Sequence, residues 1–504
     1  MRIIQYCTYE DFYKEEKTMS EYYSEIYSIF SLYNKNTVLM FLSHFLTEAS
    51  KSDDPFLHEL HEKFLEIKIN RPIVHRRSMH LLSQVFFSYN KFSKIDSRVV
   101  LCPQDSRNLF LCANSILNQT EGTTYKDISN KVTPIKILHN SIKFSNDLIN
   151  NQDVRNIFYY YINFYKELKH SVKYEYFNSI VTNKTNLNID KIIELLESLF
   201  LMKGKSAFNF LQESFTININ DTFLAWENRV PKVDIPYCYP LLQTFPLIEN
   251  NSKFHPVCSF EFMILSVCKK IYHTLRGINK GKDFGTEFGY AVEKVIIKDL
   301  TKSFGTSNCK IIDNLLIDLH DRRIQLGDFG ILKDNNIFLF EIKSGMLRVE
   351  EKYENNIEKF ENAISKRYIE KEGVNQQVKR ILDLDSHYYN FCAINKLDSN
   401  LKYQVIPIII FLDDDLMVTG FNRYIGDKFI EISEKCNSDF KNITCAKNNS
   451  AITLIELRSC IESVDNPSKI LESLWEYNHN FDRSYISYFT FSYYFYEDYL
   501  KRIN

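Results

Sequence analysis

The sequence predicts an α/β core that is preceded by a large, mainly helical region and followed by a helical extension. Glycine usage is the first observation behind this division. Gly122 and Gly204 are the only glycines before residue 277, and the rest of the thirteen fall between Gly277 and Gly426. Glycine marks turns and strand joints, which helical bundles need less often. The second observation is a pair of strand-length apolar runs within 326–343, separated by a turn sequence.

The prolines supply the third observation. Five of the eleven lie between Pro231 and Pro256, so this stretch cannot form a continuous helix. The glycines of Leu275–Gly285 then predict a hinge into the core. We therefore expect four segments along the chain. These are residues 1–250 as a mainly helical targeting or regulatory region, 251–282 as a linker or irregular segment, 283–426 as the α/β core, and 427–504 as a helical C-terminal extension.

The first core element is a predicted helix over Gly285–Leu300. Phe288, Ala291, Val292 and Val295 recur there at helical spacing and form one apolar stripe. The other core elements follow in chain order. They are a first strand over Lys310–Asp318, a turn at Asp321–Arg323, the two apolar runs, a charged helical stretch over Glu350–Glu372, a break at Gly373, a helix from Asn375, and a last strand over Val405–Leu412.

The two apolar runs predict a β-hairpin that brings charged side chains together. If Asp334-Asn335 forms the turn, Asp328 lies directly opposite Glu341. If Asn335-Asn336 forms it, Asp328 lies opposite Lys343. Side chains alternate along a strand, so both registers place these three charges on one face of the sheet.

These charges are difficult to explain by packing alone. The run Ile337–Phe340 is apolar without alternation, which predicts a central strand buried on both faces. Burying unpaired charges there costs several kcal/mol each, and adjacent carboxylates repel one another unless a cation lies between them. Paired carboxylates suit Mg²⁺, and a lysine on the same face can orient a metal-bound water. The alternative is a partly exposed edge hairpin with an Asp–Lys or Glu–Lys cross-strand pair.

Asp328, twelve intervening residues, and then Glu341-Ile342-Lys343 resemble the signature of the PD-(D/E)xK phosphodiesterases, the restriction-endonuclease-like nucleases. Gly327 stands where the family name has proline. The resemblance implies an α-β-β-β-α-β nuclease core and hydrolysis of phosphodiester bonds. It also implies that Asp328 and Glu341 bind Mg²⁺, or Mn²⁺ in its place, and that Lys343 positions or activates the attacking water.

Accessory residues are carried over from the same resemblance. Glu287 lies in the first turn of the predicted helix, where relatives have an additional metal-site glutamate, whereas Glu293 falls on another side of that helix. An early glutamate also favours the helix dipole without any catalytic role. Gln376 and Gln377 are weaker candidates for a glutamine that some branches place at the site. The tyrosine that follows this glutamine in the RecB-like branch is missing, and a solvated helix face is the alternative.

Bulk composition restricts function less than the motif does. The net charge of −2 gives no global signature of nucleic-acid binding. The eleven cysteines are scattered and odd in number, so they indicate neither a zinc module nor a disulfide framework. No apolar run approaches the roughly 20 residues of a membrane helix, and acidic residues occupy the place of a signal-peptide core. We therefore expect a cytoplasmic protein without a membrane partner.

The resulting functional hypothesis is a metal-dependent nuclease that acts on DNA in preference to RNA. Its architecture resembles bacterial restriction or antiphage defence effectors, with a partner protein or a homo-oligomer as further expectations. Two alternatives stay open. One is a catalytically silent nuclease-like module that binds nucleic acid or protein, and the other is an RNA-cleaving enzyme.

Overall fold

The chain forms two compact units in a computed structural model. The N-terminal unit comprises Met1–Val132, Asn146–Phe158 and Glu175–Gly281, and the C-terminal unit comprises Thr133–Ser145, Tyr159–Tyr174 and Lys282–Asn504. The structure describes residues 7–49, 74, 76–94, 100–127, 133–143, 145, 151–185, 188–201, 224–225, 240–250, 253–278, 282–305, 307–312, 315–318, 323–370, 373–436, 440–446, 448–480 and 486–503.

The described part of the chain before residue 282 is mostly helical. Capping boxes at Thr8 and Thr18 begin the first two helices, with each threonine accepting from the backbone of the N3 residue. Three short strands form a separate sheet, in which β1 is parallel to β2 and β2 is antiparallel to β3. The elements are helices α1 Tyr9–Tyr13, α2 Met19–Leu32, α3 Lys35–Ala49, α4 Arg76–Ser88, α5 Pro103–Asp127, α6 Pro134–Ile142, α7 Asn151–Leu168, α8 Tyr174–Thr185, α9 Ile189–Phe200, α10 Pro240–Thr244 and α11 Phe260–Ile278, and strands β1 Leu224–Ala225, β2 Leu247–Asn250 and β3 Lys253–Pro256.

From residue 282 onward, helices alternate with strands. The elements are α12 Lys282–Phe304, β4 Lys310–Ile312, β5 Leu316–Asp318, β6 Arg323–Gln325, β7 Phe329–Lys333, β8 Asn336–Lys343, α13 Val349–Lys352, α14 Ile357–Ser365 with a π-helical turn Lys366–Glu370, α15 Val374–Ser386, α16 Tyr388–Asn395, β9 Gln404–Phe411, a 3₁₀ turn Asp414–Leu416, α17 Phe421–Lys435, β10 Thr444–Cys445, β11 Ser450–Thr453, α18 Leu454–Glu462, α19 Ser468–His479, a 3₁₀ turn Ile486–Tyr488, α20 Phe491–Tyr494, a π-helical turn Phe495–Tyr499 and α21 Leu500–Ile503.

A mixed six-stranded sheet organises the C-terminal unit. Its order is β10-β9-β8-β7-β4, and β11 also pairs with β9. Strands β4 and β7 are antiparallel, as are β7 and β8, whereas β8 and β9 are parallel. The apolar runs of β8 and β9 occupy the centre of this sheet because their side chains are buried on both faces. The protein is therefore a helix-rich α/β protein.

The β7–β8 hairpin follows the first of the two predicted registers. Phe329 pairs with Phe340, and Lys333 pairs with Asn336, which leaves Asp334-Asn335 as the two-residue turn. Asp334 adopts a left-handed backbone conformation with φ of 54°. Aspartate tolerates this conformation better than most residues, so the local sequence fixes the register.

One apolar core covers the sheet face that carries the odd-numbered residues of β8. It contains Ile337 and Leu339 together with residues of α14, α15 and α17. Leu138 of α6 belongs to the same core and has no exposed surface. Gly420 has φ of 93°, and a Cβ atom there would lie 3.0 Å from the backbone nitrogen of Leu138. Helix α6 is therefore part of the core of the C-terminal unit.

A fully buried ion pair lies just beyond the end of β9. Lys352 Nζ is 2.8 Å from Asp415 Oδ1, and neither side chain has exposed surface. Ser145 Oγ donates to the same carboxylate oxygen over 2.8 Å. Such a pair tolerates loss of one partner poorly, because the remaining charge stays buried without compensation.

Several expectations require correction. The predicted first strand Lys310–Asp318 is divided into β4 and β5, and β5 pairs with β6 in a separate hairpin. Residues 251–282, expected as a linker or irregular segment, contain β3 and α11. Residues 427–504, expected as a helical extension, also supply β10 and β11 to the sheet. The core sheet therefore extends beyond the predicted limit at residue 426.

Two expectations drawn from composition can be compared with the structure. Among the described residues, no helix is long and apolar enough to cross a bilayer. The cysteines of the described ranges are free thiols, and six of them are buried.

Candidate functional site

Asp328 is held in place by the hairpin backbone. It immediately precedes β7, and its backbone nitrogen donates to the carbonyl oxygen of Phe340 over 3.0 Å. Its carboxylate oxygen Oδ2 accepts from the backbone nitrogen of Ile342 over 2.7 Å. The other oxygen, Oδ1, accepts from Gln325 Nε2 at 3.0 Å and from Arg380 Nη1 at 2.7 Å. Oδ2 therefore fixes the carboxylate to the backbone, while Oδ1 faces the guanidinium group of Arg380.

Glu341 lies across the hairpin from Asp328, as the register requires. Its side chain is only 2% exposed. Lys343 Nζ donates to Glu341 Oε1 over 2.5 Å and to Gln376 Oε1 over 2.8 Å. Arg380 Nη1 donates to the second oxygen, Glu341 Oε2. The predicted trio of Asp328, Glu341 and Lys343 is therefore one connected cluster, and Gln376 joins it.

The two carboxylates converge on a single nitrogen atom. Arg380 Nη1 is hydrogen-bonded both to Asp328 Oδ1 and to Glu341 Oε2. We call Asp328 and Glu341 the carboxylate pair. Its two inner oxygens, Asp328 Oδ1 and Glu341 Oε2, share one cation, which in this structure is the guanidinium group of Arg380.

Arg380 was not predicted from the sequence. It follows Gln376 by four residues on α15, so both side chains project from the same side of the helix. Gln376 contacts Lys343, and Arg380 contacts the carboxylate pair. The apolar residues Val374, Val378 and Ile381 indicate the core-facing side of α15, but they do not indicate that Arg380 beside them contacts the carboxylate pair.

The other candidates lie elsewhere. Gln377 is buried and accepts from Asn449 Nδ2 over 3.1 Å, away from Lys343. Glu287 accepts from Ser171 Oγ over 2.6 Å and lies 4.0 Å from Lys173 Nζ. The structure therefore does not bring Glu287 or Gln377 into contact with the carboxylate pair.

Glu293 is the carboxylate of α12 that lies within electrostatic range of the pair. Burial, and after it the charge on Asp328, raise its pKa to about 7 against the opposing effect of Arg380. Gly289, one turn earlier, adjoins the residue after Lys343, because a Cβ atom added there would lie 3.3 Å from Ser344 Oγ. The side of α12 that carries Gly289 and Glu293 therefore approaches the end of β8.

The cluster is short of positive charge. Burial, and after it the charge on Asp328, raise the pKa of Glu341 to about 7 against the opposing effects of Lys343 and Arg380. Among the described residues, the cluster contains three carboxylates, including that of Glu293, and two cations, Lys343 and Arg380. An additional positive charge would stabilise the ionised form of every carboxylate in the cluster.

The chemistry of the carboxylate pair fits a divalent metal ion. Its inner oxygens already converge on one cationic atom, and both are hard donors. Among the described residues, no group of three or more histidine, cysteine or acidic side chains is arranged to hold a metal. Mg²⁺ is commonly bound through only one or two carboxylates, with water and substrate phosphate as its other ligands. Two carboxylates therefore match the number of protein ligands that Mg²⁺ commonly has.

Comparison of the chain with protein-family models, with curated proteins and with solved structures found no match.

Proposed function

We propose that the protein is a metal-dependent nuclease that hydrolyses phosphodiester bonds, with DNA preferred over RNA. The observation that carries this proposal is the convergence of Asp328 Oδ1 and Glu341 Oε2 on one cation position, with Lys343 hydrogen-bonded to Glu341. A buried pair of carboxylates with an adjacent ammonium group is the arrangement expected of a metal site that hydrolyses phosphate esters.

The order of the elements around the cluster supports the same proposal. In this proposal, the α-β-β-β-α-β order of a restriction-endonuclease-like core would correspond to helix α12, strands β4, β7 and β8, helices α14 and α15, and strand β9. Strand pairing along β4-β7-β8-β9 keeps them in one sheet. The β5–β6 hairpin would then be an insertion between the first and second strands of that order.

Each residue of the cluster has a distinct role in the proposed reaction. The carboxylate pair would hold Mg²⁺ or Mn²⁺, which supplies Lewis acidity at the phosphate. Lys343 places an ammonium group beside Glu341, where it can orient the attacking water and offset negative charge in the transition state. Gln376 fixes the lysine by accepting from Nζ over 2.8 Å. Residues 1–250 would select or gate the target, as in a defence or restriction effector acting in the cytoplasm.

One observation favours a second candidate, a nuclease-like module that binds nucleic acid or protein without cutting. Arg380 pairs with both carboxylates, and all three side chains are at most 9% exposed. If this ion pair is permanent, the guanidinium occupies the point at which the metal would bind. The module would then have no metal-dependent activity.

Incubation of the purified full-length protein with nucleic acid separates these candidates. We expect cleavage of plasmid, linear or single-stranded DNA with Mg²⁺ or Mn²⁺, no cleavage in EDTA, and loss of cleavage in Glu341→Gln. Exposed Glu434→Gln is a charge-matched control and should cleave like the wild type. Cleavage that persists in EDTA or in Glu341→Gln would exclude the metal mechanism. Binding without cleavage would favour the silent module, and cleavage of RNA alone would reassign the substrate.

A further inference from the structure

We propose that Arg380 is a phosphate-binding residue that leaves the carboxylate pair when a divalent cation binds there. This inference rests on the proposed nuclease function and deepens it. In the absence of metal the guanidinium neutralises the pair. With metal bound, the same group would contact a phosphate oxygen of the nucleic-acid backbone.

The hydrogen bonds of Arg380 leave part of its guanidinium free to bind a ligand. Both of its ion pairs run through one nitrogen, Nη1. Among the described residues, Nη2 and Nε have no hydrogen-bond partner, and the side chain is 9% exposed. A structural arginine that clamps two carboxylates normally uses its planar fork bidentately. Here Nη2 and Nε are not used by the two carboxylates and are left to donate to another acceptor.

Gln376 extends this donor surface along the same side of α15. Its Oε1 accepts from Lys343, which orients the amide. Its Nε2 makes no hydrogen bond to any described residue. We call Arg380 and Gln376 the α15 donors. Because they are four residues apart on the helix, their N–H groups lie on the same side of the cluster. These groups could donate hydrogen bonds to the oxygens of a phosphodiester.

Electrostatics explain why the arginine would move. A metal ion held by the carboxylate pair would compete with Arg380 Nη1, which now contacts Asp328 Oδ1 and Glu341 Oε2. Two cations cannot share that point, and the divalent ion supplies the positive charge that the cluster lacks. The displaced guanidinium would then need another anion to pair with. A phosphate of the bound nucleic-acid backbone would supply it.

The first test is metal affinity. Mn²⁺ binding to the full-length protein would be measured by calorimetry at pH 8 without nucleic acid, in the wild type, Arg380→Ala, Arg380→Lys and Lys379→Ala. Lys379 is the exposed neighbour of Arg380 on α15 and controls for loss of one positive charge. Removing the competitor should tighten Mn²⁺ binding about tenfold in Arg380→Ala, which corresponds to 1.4 kcal/mol of binding free energy, and leave Lys379→Ala unchanged.

The second test is the salt dependence of nucleic-acid binding, with Ca²⁺ in place of Mg²⁺ to suppress turnover. Affinity for a fluorescent DNA oligonucleotide would be measured over a series of salt concentrations. Loss of one phosphate contact should lower the slope of log K against log salt by about one in Arg380→Ala and weaken binding about tenfold. Gln376→Ala should weaken binding without changing the slope, because it removes a neutral donor. Lys379→Ala should retain the wild-type slope.

The outcomes separate this inference from the proposed function. Weaker Mn²⁺ binding and an unchanged salt slope in Arg380→Ala would identify the arginine as a fixed clamp and overturn the inference. The nuclease proposal would stay intact in that case, provided that the wild-type protein binds Mn²⁺ and DNA. If the wild type binds neither Mn²⁺ nor DNA, both fail. If Arg380→Ala does not fold, Arg380→Lys decides instead. The lysine keeps the positive charge and can also leave the pair, but it offers a phosphate one ammonium group in place of the two donor edges of the guanidinium, so weaker DNA binding supports the inference and wild-type DNA affinity overturns it.

Discussion

Glu341→Gln should stabilise the protein at pH 8 when no metal is present. The glutamine has the shape of the protonated glutamate, so the substitution removes the charge with little change in packing. Burial and the neighbouring Asp328 raise the pKa of Glu341 from 4.5 to about 7. The folded protein therefore holds this proton more tightly than the unfolded chain does, and stability falls as the pH rises from 4.5 through 7.

The magnitude follows from that difference. The pKa of Glu341 is 4.5 in the unfolded chain and about 7 in the folded protein, and each pKa unit corresponds to 1.36 kcal/mol. The neutral side chain is therefore favoured by about 3 kcal/mol at pH 8. Below the ordinary pKa of glutamate, Glu341 is mostly protonated in both the folded and the unfolded protein. The variant and the wild type should therefore be equally stable at pH 4. Because Glu341 is almost fully buried, solvent screening reduces this effect little.

Urea unfolding in EDTA, followed by tryptophan fluorescence and circular dichroism, measures the effect at the two pH values. Trp475 reports on the C-terminal unit, which contains the cluster. Glu434→Gln serves as the exposed control and should stay within about 0.5 kcal/mol of the wild type. If Glu341→Gln instead destabilises the protein equally at both pH values, the carboxylate is a net stabilising partner. The view of the cluster as short of positive charge would then be wrong.

Three further predictions concern the chemistry and the scaffold. Lys343→Ala should lose turnover but keep Mn²⁺ affinity, and Lys343→Arg should rescue little; wild-type cleavage rates in the alanine variant would reduce Lys343 to a structural partner. Lys352→Met should cost about 3–5 kcal/mol in urea unfolding because the buried Asp415 loses the cation that compensates its charge, and a cost below about 1 kcal/mol would contradict this. A fragment of residues 253–504 lacks α6 and should not fold, as judged by circular dichroism, since Leu138 belongs to the core of the C-terminal unit; a folded, active fragment would show that α6 is dispensable.

The hairpin and its charged residues were predictable because their determinants are local. Turn chemistry at Asp334-Asn335 fixes the register, and period-two alternation then places Asp328, Glu341 and Lys343 on one face. No knowledge of the rest of the chain is needed for that step. The confirmed strand pairing therefore follows from about sixteen consecutive residues.

The helical contributions to the site were not predictable in the same way. Helical periodicity distinguishes the side of α12 with Glu287 from the side with Glu293, but only packing against the sheet decides which one approaches the carboxylate pair. Arg380 was missed for the same reason. The division of the first strand into β4 and β5 depends on β5 pairing with β6, a contact that the apolar pattern alone does not specify.

The central claim is that Asp328 and Glu341 share one divalent cation, and a Mn²⁺ titration tests it most directly. Electron paramagnetic resonance of the full-length protein at pH 8 counts bound Mn²⁺ without requiring a substrate. We predict one bound ion per chain in the wild type and none at that site in Asp328→Asn, which preserves the size of the side chain while removing its charge. Absence of bound Mn²⁺ in the wild type, or undiminished binding in Asp328→Asn, would contradict the claim.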